Sequence, residues 1–179
     1  WENLSKELNY NMMFSQRGVM NLAHNEHDIK EMKRRISANR LNGLDTKWLD
    51  TKEIKELVPI MNTDNLRYPV LGAAYQPRGG VARHDAIAWG FAMRADEMGV
   101  DIIQNCEVKN IKTNNNKVEG VETSKGFIKA GKVAVVASGH TSILAKTAGI
   151  RLPLQSRPLQ ALVSEPIKPV INTVVMSNA

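Results

Sequence analysis

The chain has 179 residues, 42% of them hydrophobic, and a formal net charge of +6. This composition is typical of a folded protein with an ordinary core, and it excludes a low-complexity chain. The single cysteine, Cys106, excludes an internal disulfide and a cysteine-based zinc cluster, and it favours a reducing, cytoplasmic setting. No apolar run approaches the ~20 residues of a membrane-spanning helix, so we expect no membrane partner.

The N-terminal part of the chain predicts a hairpin followed by a basic helix. Two apolar runs in residues 10–23 flank the polar turn SQRG, a pattern typical of a hairpin. Asp28 predicts the start of a helix that ends at Asn42-Gly43. Acidic residues interleave with its basic ones and aromatic residues are few, so we expect a solvated face and no nucleic-acid partner. The basic residues are Lys30, Lys33, Arg34, Arg35 and Arg40.

A shorter helix and a strand follow before residue 77. The helix is predicted to start at Asp50 or Thr51 and to stop before Pro59, which lacks the backbone donor that a helix interior needs. The segment YPVLGAAYQP then has the apolar and aromatic residues of a strand. Up to this point the elements do not alternate as βαβ units.

Near residue 77 the pattern changes, and a helix is strongly indicated. Asp85 predicts the N-cap of a helix over residues 86–98, and Gly99 predicts its stop. The predicted apolar face of this helix consists of Ile87, Phe91, Ala95 and Met98.

The sequence after this helix predicts further strands of an α/β fold with α+β character. VDIIQN reads as a strand, and turn signals at residues 114–116 and 125–126 predict a three-stranded meander. AVVA is apolar on successive residues, which predicts a strand covered on both faces in a parallel sheet. The short helix SILAKTAG and two more strand-like segments, LPLQSRPLQALVSEP and 173–176, complete the chain.

Common catalytic and phosphate-binding motifs are missing from the sequence. None of the twelve glycines lies in a GxGxxG or GxxxxGK motif, so this segment has no pyrophosphate loop of its own. His24 and His27 lack a third ligand, and a surface helix start explains them. Ser138 and His140 lie too close on one turn to form a nucleophile and its base. The sequence therefore predicts no metal site, and we name no catalytic residue.

His84 is the residue whose position indicates chemistry. It precedes the predicted helix, where the positive end of the helix dipole and the neighbouring Arg83 favour a neutral imidazole with a free lone pair. Such a nitrogen can attack an electrophilic cofactor carbon, and Gly79 and Gly80 would let a flat ring approach the backbone. A solvent-facing histidine beside an N-cap is the alternative.

Three stretches carry a resemblance to a known family. GGVARHDAIAWGFAMRADEMGVDI, the upstream NYNMMFSQRGVMNLAH and the downstream VEGVETSKGFIKAGKVAVVASGHTSILAKTAGIRLPLQSRPLQALVSEP resemble the beta subunits of bacterial heterotetrameric sarcosine oxidases. The wider pattern is similar to that of the D-amino-acid-oxidase superfamily of FAD-dependent oxidoreductases. The resemblance implies part of a Rossmann-like FAD-binding domain, interleaved with part of a substrate domain built on an antiparallel sheet.

The resemblance also implies the domain boundaries and the cofactor sites. Residues 1–76 and 153–179 would belong to the substrate domain, and residues 77–152 to the FAD domain. His84, in the RHDA motif, would carry a covalently attached FMN. A noncovalent FAD would be contacted by Val108, Ala137, Ser138 and Gly139.

The implied reaction is oxidative demethylation of sarcosine, with hydrogen peroxide as a product. Alpha, gamma and delta subunits are the implied partners, with NAD and tetrahydrofolate bound on a companion subunit. Because the glycine-rich fingerprint is missing, we expect the chain to be a fragment that is inactive alone. A dimethylglycine-type amine oxidoreductase without attached FMN is one alternative. A noncatalytic interaction module with a basic helix is the other.

Overall fold

The computed structural model describes residues 1–64 and 67–177, which form two compact units. One unit comprises Trp1–Val100 and Pro166–Ala179, and the other comprises Asp101–Glu165. The helices are α1 Leu4–Glu7, α2 Glu26–Leu41, α3 Thr51–Leu57, α4 His84–Glu97 and α5 Thr141–Thr147, with a 3₁₀ turn at Ser138–His140. The strands are β1 Ser15–Gln16, β2 Val19–Ala23, β3 Lys47–Leu49, β4 Gly72–Gln76, β5 Gly80–Val81, β6 Val108–Asn114, β7 Lys117–Thr123, β8 Gly126–Lys129 and β9 Val174–Ser177.

The first unit is organised around a four-stranded sheet with the order β3-β4-β2-β9. β2 pairs antiparallel with β4 and parallel with β9. The predicted hairpin over residues 10–23 is wrong, because β1 turns away from β2 and pairs antiparallel with β5 instead. Gly18, with φ +76°, provides the left-handed backbone between β1 and β2 that this change of direction uses.

Both faces of this sheet are covered, because neighbouring strand residues point to opposite sides. Ala73 belongs to a core cluster with residues of α3, and the next residue, Ala74, belongs to a second cluster with residues of α2. The first cluster contains Met20, Leu22, Leu49, Ile54, Val58, Val70 and Ala73. The second contains Ala23, Met32, Ile36 and Ala74.

The helix starts show where local sequence signals succeed and where they mislead. Asp50 caps α3 in a reciprocal capping box with Glu53, as its predicted start requires. Asn25, and not Asp28, is the N-cap of α2, because its side chain accepts a hydrogen bond from the Asp28 N–H. The Asp28 carboxylate instead accepts from the backbone N–H of His24, at 3.0 Å.

Helix α4 is confirmed as an element, but its cap and its buried face are not those predicted. It begins at His84, so Asp85 lies inside the first turn. The buried positions are Ala86 and Gly90, whereas Phe91 is 51% exposed. A Cβ on Gly90 would lie 2.7 Å from Met12 Sδ, so close approach of the N-terminal segment selects the small-residue side of the helix.

In the second unit the predicted meander is confirmed as β6-β7-β8, and α5 is also present. Thr147 of α5 accepts a hydrogen bond from the Ile111 N–H of β6 at 3.0 Å. The strands predicted for VDIIQN, AVVA and LPLQSRPLQALVSEP are wrong, because no described strand supplies their backbone hydrogen bonds. Val136 is accordingly 95% exposed.

Two further sequence expectations concern boundaries and membranes. The boundaries between the two compact units follow Val100 and Glu165. The boundaries predicted between the FAD and substrate domains follow residues 76 and 152, and this domain assignment stays a prediction. Among the helices of the described residues, none combines the length and apolarity needed to cross a bilayer.

Truncating Ile54 should destabilise the first unit strongly. This α3 side chain is fully buried, so Ile54→Ala is expected to lower the free energy of unfolding by about 2–5 kcal/mol through lost burial and a residual cavity. Leu57, on the same helix, is 40% exposed and provides the matched control, with a loss of at most about 1 kcal/mol for Leu57→Ala. Urea unfolding measures both, and equal losses would contradict the assignment of Ile54 to the core.

Candidate functional site

His84 is placed by the short connection from β4 to α4. After β4, the Gly79 N–H donates to the Gln76 carbonyl in a turn, and the two residues of β5 then pair with β1. Arg83 has extended backbone at the N-cap position and provides no side-chain cap. His84 is thus the first helical residue of α4, and its side chain is exposed.

The two glycines before His84 are required by packing. A Cβ on Gly80 would lie 2.0 Å from the Ser15 carbonyl oxygen, and one on Gly79 would lie 2.7 Å from Val19 Cγ2. Glycine at both positions lets β5 and its preceding turn pack directly against β1 and β2. The approach of a flat ring to these glycines stays a prediction.

Arg83 and Asp85 form an ion pair that flanks His84 in sequence. The guanidinium Nε donates to Oδ1 at 3.1 Å, and Nη2 donates to Oδ2. Oδ1 also accepts from the Ala86 N–H at 2.9 Å, so Asp85 acts on the helix start from within the first turn. Sequence reasoning missed this pair, although opposite charges two residues apart at a helix start were the available signal.

The ion pair changes the electrostatics expected around His84. The pKa of the Asp85 carboxyl lies below its usual range. The hydrogen bond from Arg83 is the larger cause, and the hydrogen bond from the Ala86 N–H is the second. Asp85 in turn raises the pKa of the Arg83 guanidinium. The two charges of the pair therefore compensate each other at the start of α4.

Two cavities of the first unit border the segment that carries His84. One has a volume of about 780 Å³, and its lining includes Phe14, Gly79, Gly80, Ala82 and Ile87. The other has a volume of about 290 Å³, and its lining includes Met13, Arg17, Val81, Arg83 and Thr173. The connection from β4 to α4 therefore lies beside two concave surfaces. The smaller one is lined in part by the cationic side chains of Arg17 and Arg83.

The remaining predicted site residues lie in the second unit. Ala137, Ser138 and Gly139 are contiguous, and they form the turn into α5. Ser138 has φ +47°, a left-handed conformation that non-glycine residues rarely adopt. A Cβ on Gly139 would come no closer than 3.5 Å to any neighbour, so packing within the described chain does not require glycine there.

Val108 opens β6 and faces Thr123 of β7. The strand register shifts between Val108 and Asn110, an irregularity of the kind that often lies next to binding sites. The structure thus brings residues 137–139 together as one turn, places Val108 at a strand start, and places His84 in the other compact unit.

The other histidines considered from sequence show no metal chemistry. His24 lies at the end of β2, where Nδ1 is 3.0 Å from the Pro69 carbonyl oxygen and Nε2 is 2.8 Å from Ser177 Oγ. His24 directly precedes the N-cap Asn25 of α2 and is held by these hydrogen bonds, and His27 lies exposed in the first turn, so both histidines belong to a helix start as predicted. Within residues 1–64 and 67–177, no three side chains of the metal-binding types form a candidate metal site.

Comparison with protein families identifies the chain at the family level. The family model described as "DAO: FAD dependent oxidoreductase" matches residues 1–177. The chain belongs to this family. The family resemblance and the mixed α/β fold inferred from the sequence are both confirmed.

The curated relatives of this FAD-dependent oxidoreductase are longer proteins. The sarcosine oxidase subunit beta of Arthrobacter sp is 58% identical, over 99% of this chain and 44% of that protein. The subunit of the same name from Rhodobacter capsulatus is 53% identical, over 99% of this chain and 43% of that protein. The chain thus spans less than half the length of these relatives.

Solved structures show the same fold. L-proline dehydrogenase from P. horikoshii matches with a TM-score of 0.80 at 30% identity, covering 99% of this chain and 47% of that one. Glycine oxidase from Bacillus cereus matches with a TM-score of 0.60 at 25% identity, covering 81% of this chain and 39% of that one.

Acidification should weaken the start of α4 through Asp85. Because Arg83 lowers the pKa of this carboxyl, its stabilising contribution is fully present above about pH 4 and is lost as the pH falls through the lowered value. Asp85→Asn should remove this part of the acid sensitivity, as measured by thermal unfolding between about pH 6 and pH 2. Asp96→Asn, an exposed position of the same helix, is the control. Identical pH profiles for the two variants would contradict the assignment.

Proposed function

We propose that this chain is part of the beta subunit of a heterotetrameric sarcosine oxidase. The observation that carries the proposal is its 58% identity, over 99% of its length, to a protein named sarcosine oxidase subunit beta. A third protein of that name, from Rhizobium meliloti, is 49% identical over the whole of this chain. Membership of the FAD-dependent oxidoreductase family agrees with the redox chemistry that the proposal requires.

The proposed reaction converts sarcosine, water and dioxygen into glycine, formaldehyde and hydrogen peroxide. When bound, FAD supplies the acceptor for the electron pair of the secondary amine, and FMN supplies the path from FAD to dioxygen. The proposed role of this chain is to hold the two flavins. We assign none of its residues to proton transfer.

His84 fits the attachment of FMN by its exposure and its place in the helix. As the first residue of α4 it has an accessible imidazole, and no hydrogen bond ties this ring to the described residues. The positive end of the dipole of α4 stabilises negative charge, which develops when a nucleophile adds to an electron-accepting ring. Both properties are those that covalent attachment needs.

The turn at 137–139 fits the noncovalent FAD by its shape. A left-handed Ser138 costs about 1–3 kcal/mol, and such strain is concentrated at binding sites. Among the described residues, a Cβ on Gly139 would make only ordinary van der Waals contact, with Ser156 Oγ at 3.5 Å, so packing alone does not require glycine here. Val108 is proposed to contact the adenine end of the same cofactor.

The proposal also covers the partner subunits and the assignment of this chain to domains. Alpha, gamma and delta subunits are the proposed partners, with NAD and tetrahydrofolate on a companion subunit and a cytoplasmic location. Residues 1–76 and 153–179 are assigned to the substrate domain, and residues 77–152 to the FAD domain. Because the chain spans 44% of the Arthrobacter relative, we expect no oxidase activity from the chain alone.

Replacing His84 should abolish covalent FMN and leave FAD in place. His84→Ala, in the complete subunit assembly, is expected to give colourless protein after acid precipitation and slower reoxidation by dioxygen, with reduction by sarcosine less affected. His27→Ala is the matched control, since His27 is also an exposed histidine in the first turn of a helix. An unmodified His84 peptide from flavin-replete wild-type enzyme, identified by mass spectrometry, would instead favour an amine oxidoreductase without attached FMN.

Filling the space at Gly139 should reduce FAD binding without unfolding the protein. The chain tolerates a Cβ there, so Gly139→Ala is expected to keep the wild-type unfolding temperature but to weaken FAD binding about tenfold or more through a clash with the cofactor. Gly131→Ala, whose added Cβ has no described neighbour within 4 Å, should change neither. Noncovalent FAD is measured after extraction, and full FAD content in Gly139→Ala would refute the assignment of this turn.

A further inference from the structure

The smaller of the two cavities described above, with a volume of about 290 Å³, has polar and cationic walls. Its polar lining residues are Ser15, Arg17, Arg83, Asn172 and Thr173. No aspartate or glutamate of the described residues lines it. A concave surface lined by charge of one sign attracts ligands of the opposite charge, so this lining favours an anion.

Arg17 provides the unpaired positive charge of this cavity. Its Nε donates to Ser15 Oγ at 2.9 Å, which holds the guanidinium beside β1. Its two Nη groups form no hydrogen bond or ion pair with the described residues. Arg83, in contrast, is paired with both oxygens of Asp85. The free edge of the Arg17 guanidinium can therefore bind both oxygens of an anionic group.

The hydroxyl of Thr173 is a second group in this cavity that lacks a protein partner. Thr173 is only 8% exposed, yet its side chain forms no hydrogen bond within residues 1–64 and 67–177. Every fully buried side-chain oxygen in those ranges has a partner, so the Thr173 oxygen retains access to the cavity that this residue lines. A largely buried hydroxyl without a hydrogen bond lowers stability, and an oxygen of a bound ligand would remove that cost.

The rest of the lining is apolar and fits a short carbon chain. Met13 has φ +50°, a left-handed conformation that is rare for a long side chain, and its N–H donates to Asn11 Oδ1 at 2.9 Å. Backbone strain of this kind is concentrated at binding sites. The volume is near the lower end of the range of about 300–1,000 Å³ that is usual for ligand sites, so the ligand is small. The apolar lining residues are Met13, Val81, Ile171 and Val174.

We propose that this cavity binds a small aliphatic carboxylate, with the carboxylate group on Arg17 and the Thr173 hydroxyl and the carbon chain on the apolar residues. One negative charge matches the one unpaired guanidinium of the lining, whereas a phosphate dianion would have excess charge. An amino acid such as sarcosine does not fit, because no side-chain carboxylate of the described lining could pair with its ammonium group. The inference therefore concerns a ligand other than the proposed substrate and does not rest on the proposed function.

The test titrates butyrate into the complete protein and obtains its dissociation constant by ligand-observed NMR. Arg17→Gln should raise this constant about tenfold or more, because it removes a charge-assisted hydrogen bond. Thr173→Val should raise it about threefold. Since the hydroxyl has no protein partner to lose, Thr173→Val should also keep or raise the unfolding temperature. A purely structural role of Thr173 would instead lower the unfolding temperature and leave butyrate binding unchanged.

Arg35→Gln is the matched control and should bind butyrate as the wild type does. Arg35 is also an exposed arginine without a partner among the described residues, and it does not line the cavity. Neutral butyramide, which has the same shape as butyrate, should bind about tenfold more weakly. Sarcosine, added without oxygen so that it is not turned over repeatedly, should not displace butyrate.

Three results would overturn the inference. The first is wild-type affinity for butyrate in both Arg17→Gln and Thr173→Val. The second is displacement of butyrate by sarcosine, which would place butyrate at the substrate site and leave the proposed function standing. The third is stronger binding of inorganic phosphate than of butyrate at this cavity, which would assign it to a different class of anion. Should Arg17→Gln not fold, Thr173→Val alone decides the test. A protein that binds butyrate as expected but does not oxidise sarcosine would refute the proposed function and support this inference.

Discussion

The pairing of β1 with β5 decides where His84 lies. These two strands have two residues each, and they bring Ser15 opposite Val81. Their contact is so close that a side chain on Gly80 would collide with the Ser15 carbonyl oxygen. With β5 held in this way, the chain reaches Arg83 in extended conformation and starts α4 at His84. The exposure of the imidazole and the ion pair beside it both follow from this backbone constraint.

Elements whose cause is local could be predicted from the sequence. The capping box at Asp50, the turn residues of the β6-β7-β8 meander and the glycine after α4 each act within a few residues. Pairing between distant segments could not be predicted in this way. Nothing in residues 10–23 indicates that β1 pairs with β5 and β2 with β4, because a hairpin fits the same apolar pattern. The run AVVA has a strand's composition, but its strand needs hydrogen-bond partners that the described residues do not supply.

The features of the candidate site also differ in whether their cause is local in sequence or lies in a distant segment. His84 could be found from its motif and its place before a helix, and its exposure agrees with a group that must meet a cofactor. The contact between Arg83 and Asp85 depends on side-chain rotamers, which a one-dimensional pattern does not contain. The packing role of Gly79 and Gly80 could not be predicted, because the constraint comes from β1 and β2, far away in sequence. The sequence thus singled out His84 as a candidate, and the fold revealed the ion pair beside it.

The parallel pairing of β2 with β9 has a consequence for biosynthesis. Val19 leaves the ribosome before its partner Val174, which follows only after the whole segment Asp101–Glu165 has been translated. Until then one edge of β2 exposes open backbone donors and acceptors, a known route to intermolecular aggregation. Contacts between such distant residues also slow folding. The nascent chain should therefore depend on chaperone protection during this interval, and a translational pause within the intervening segment should prolong its exposure.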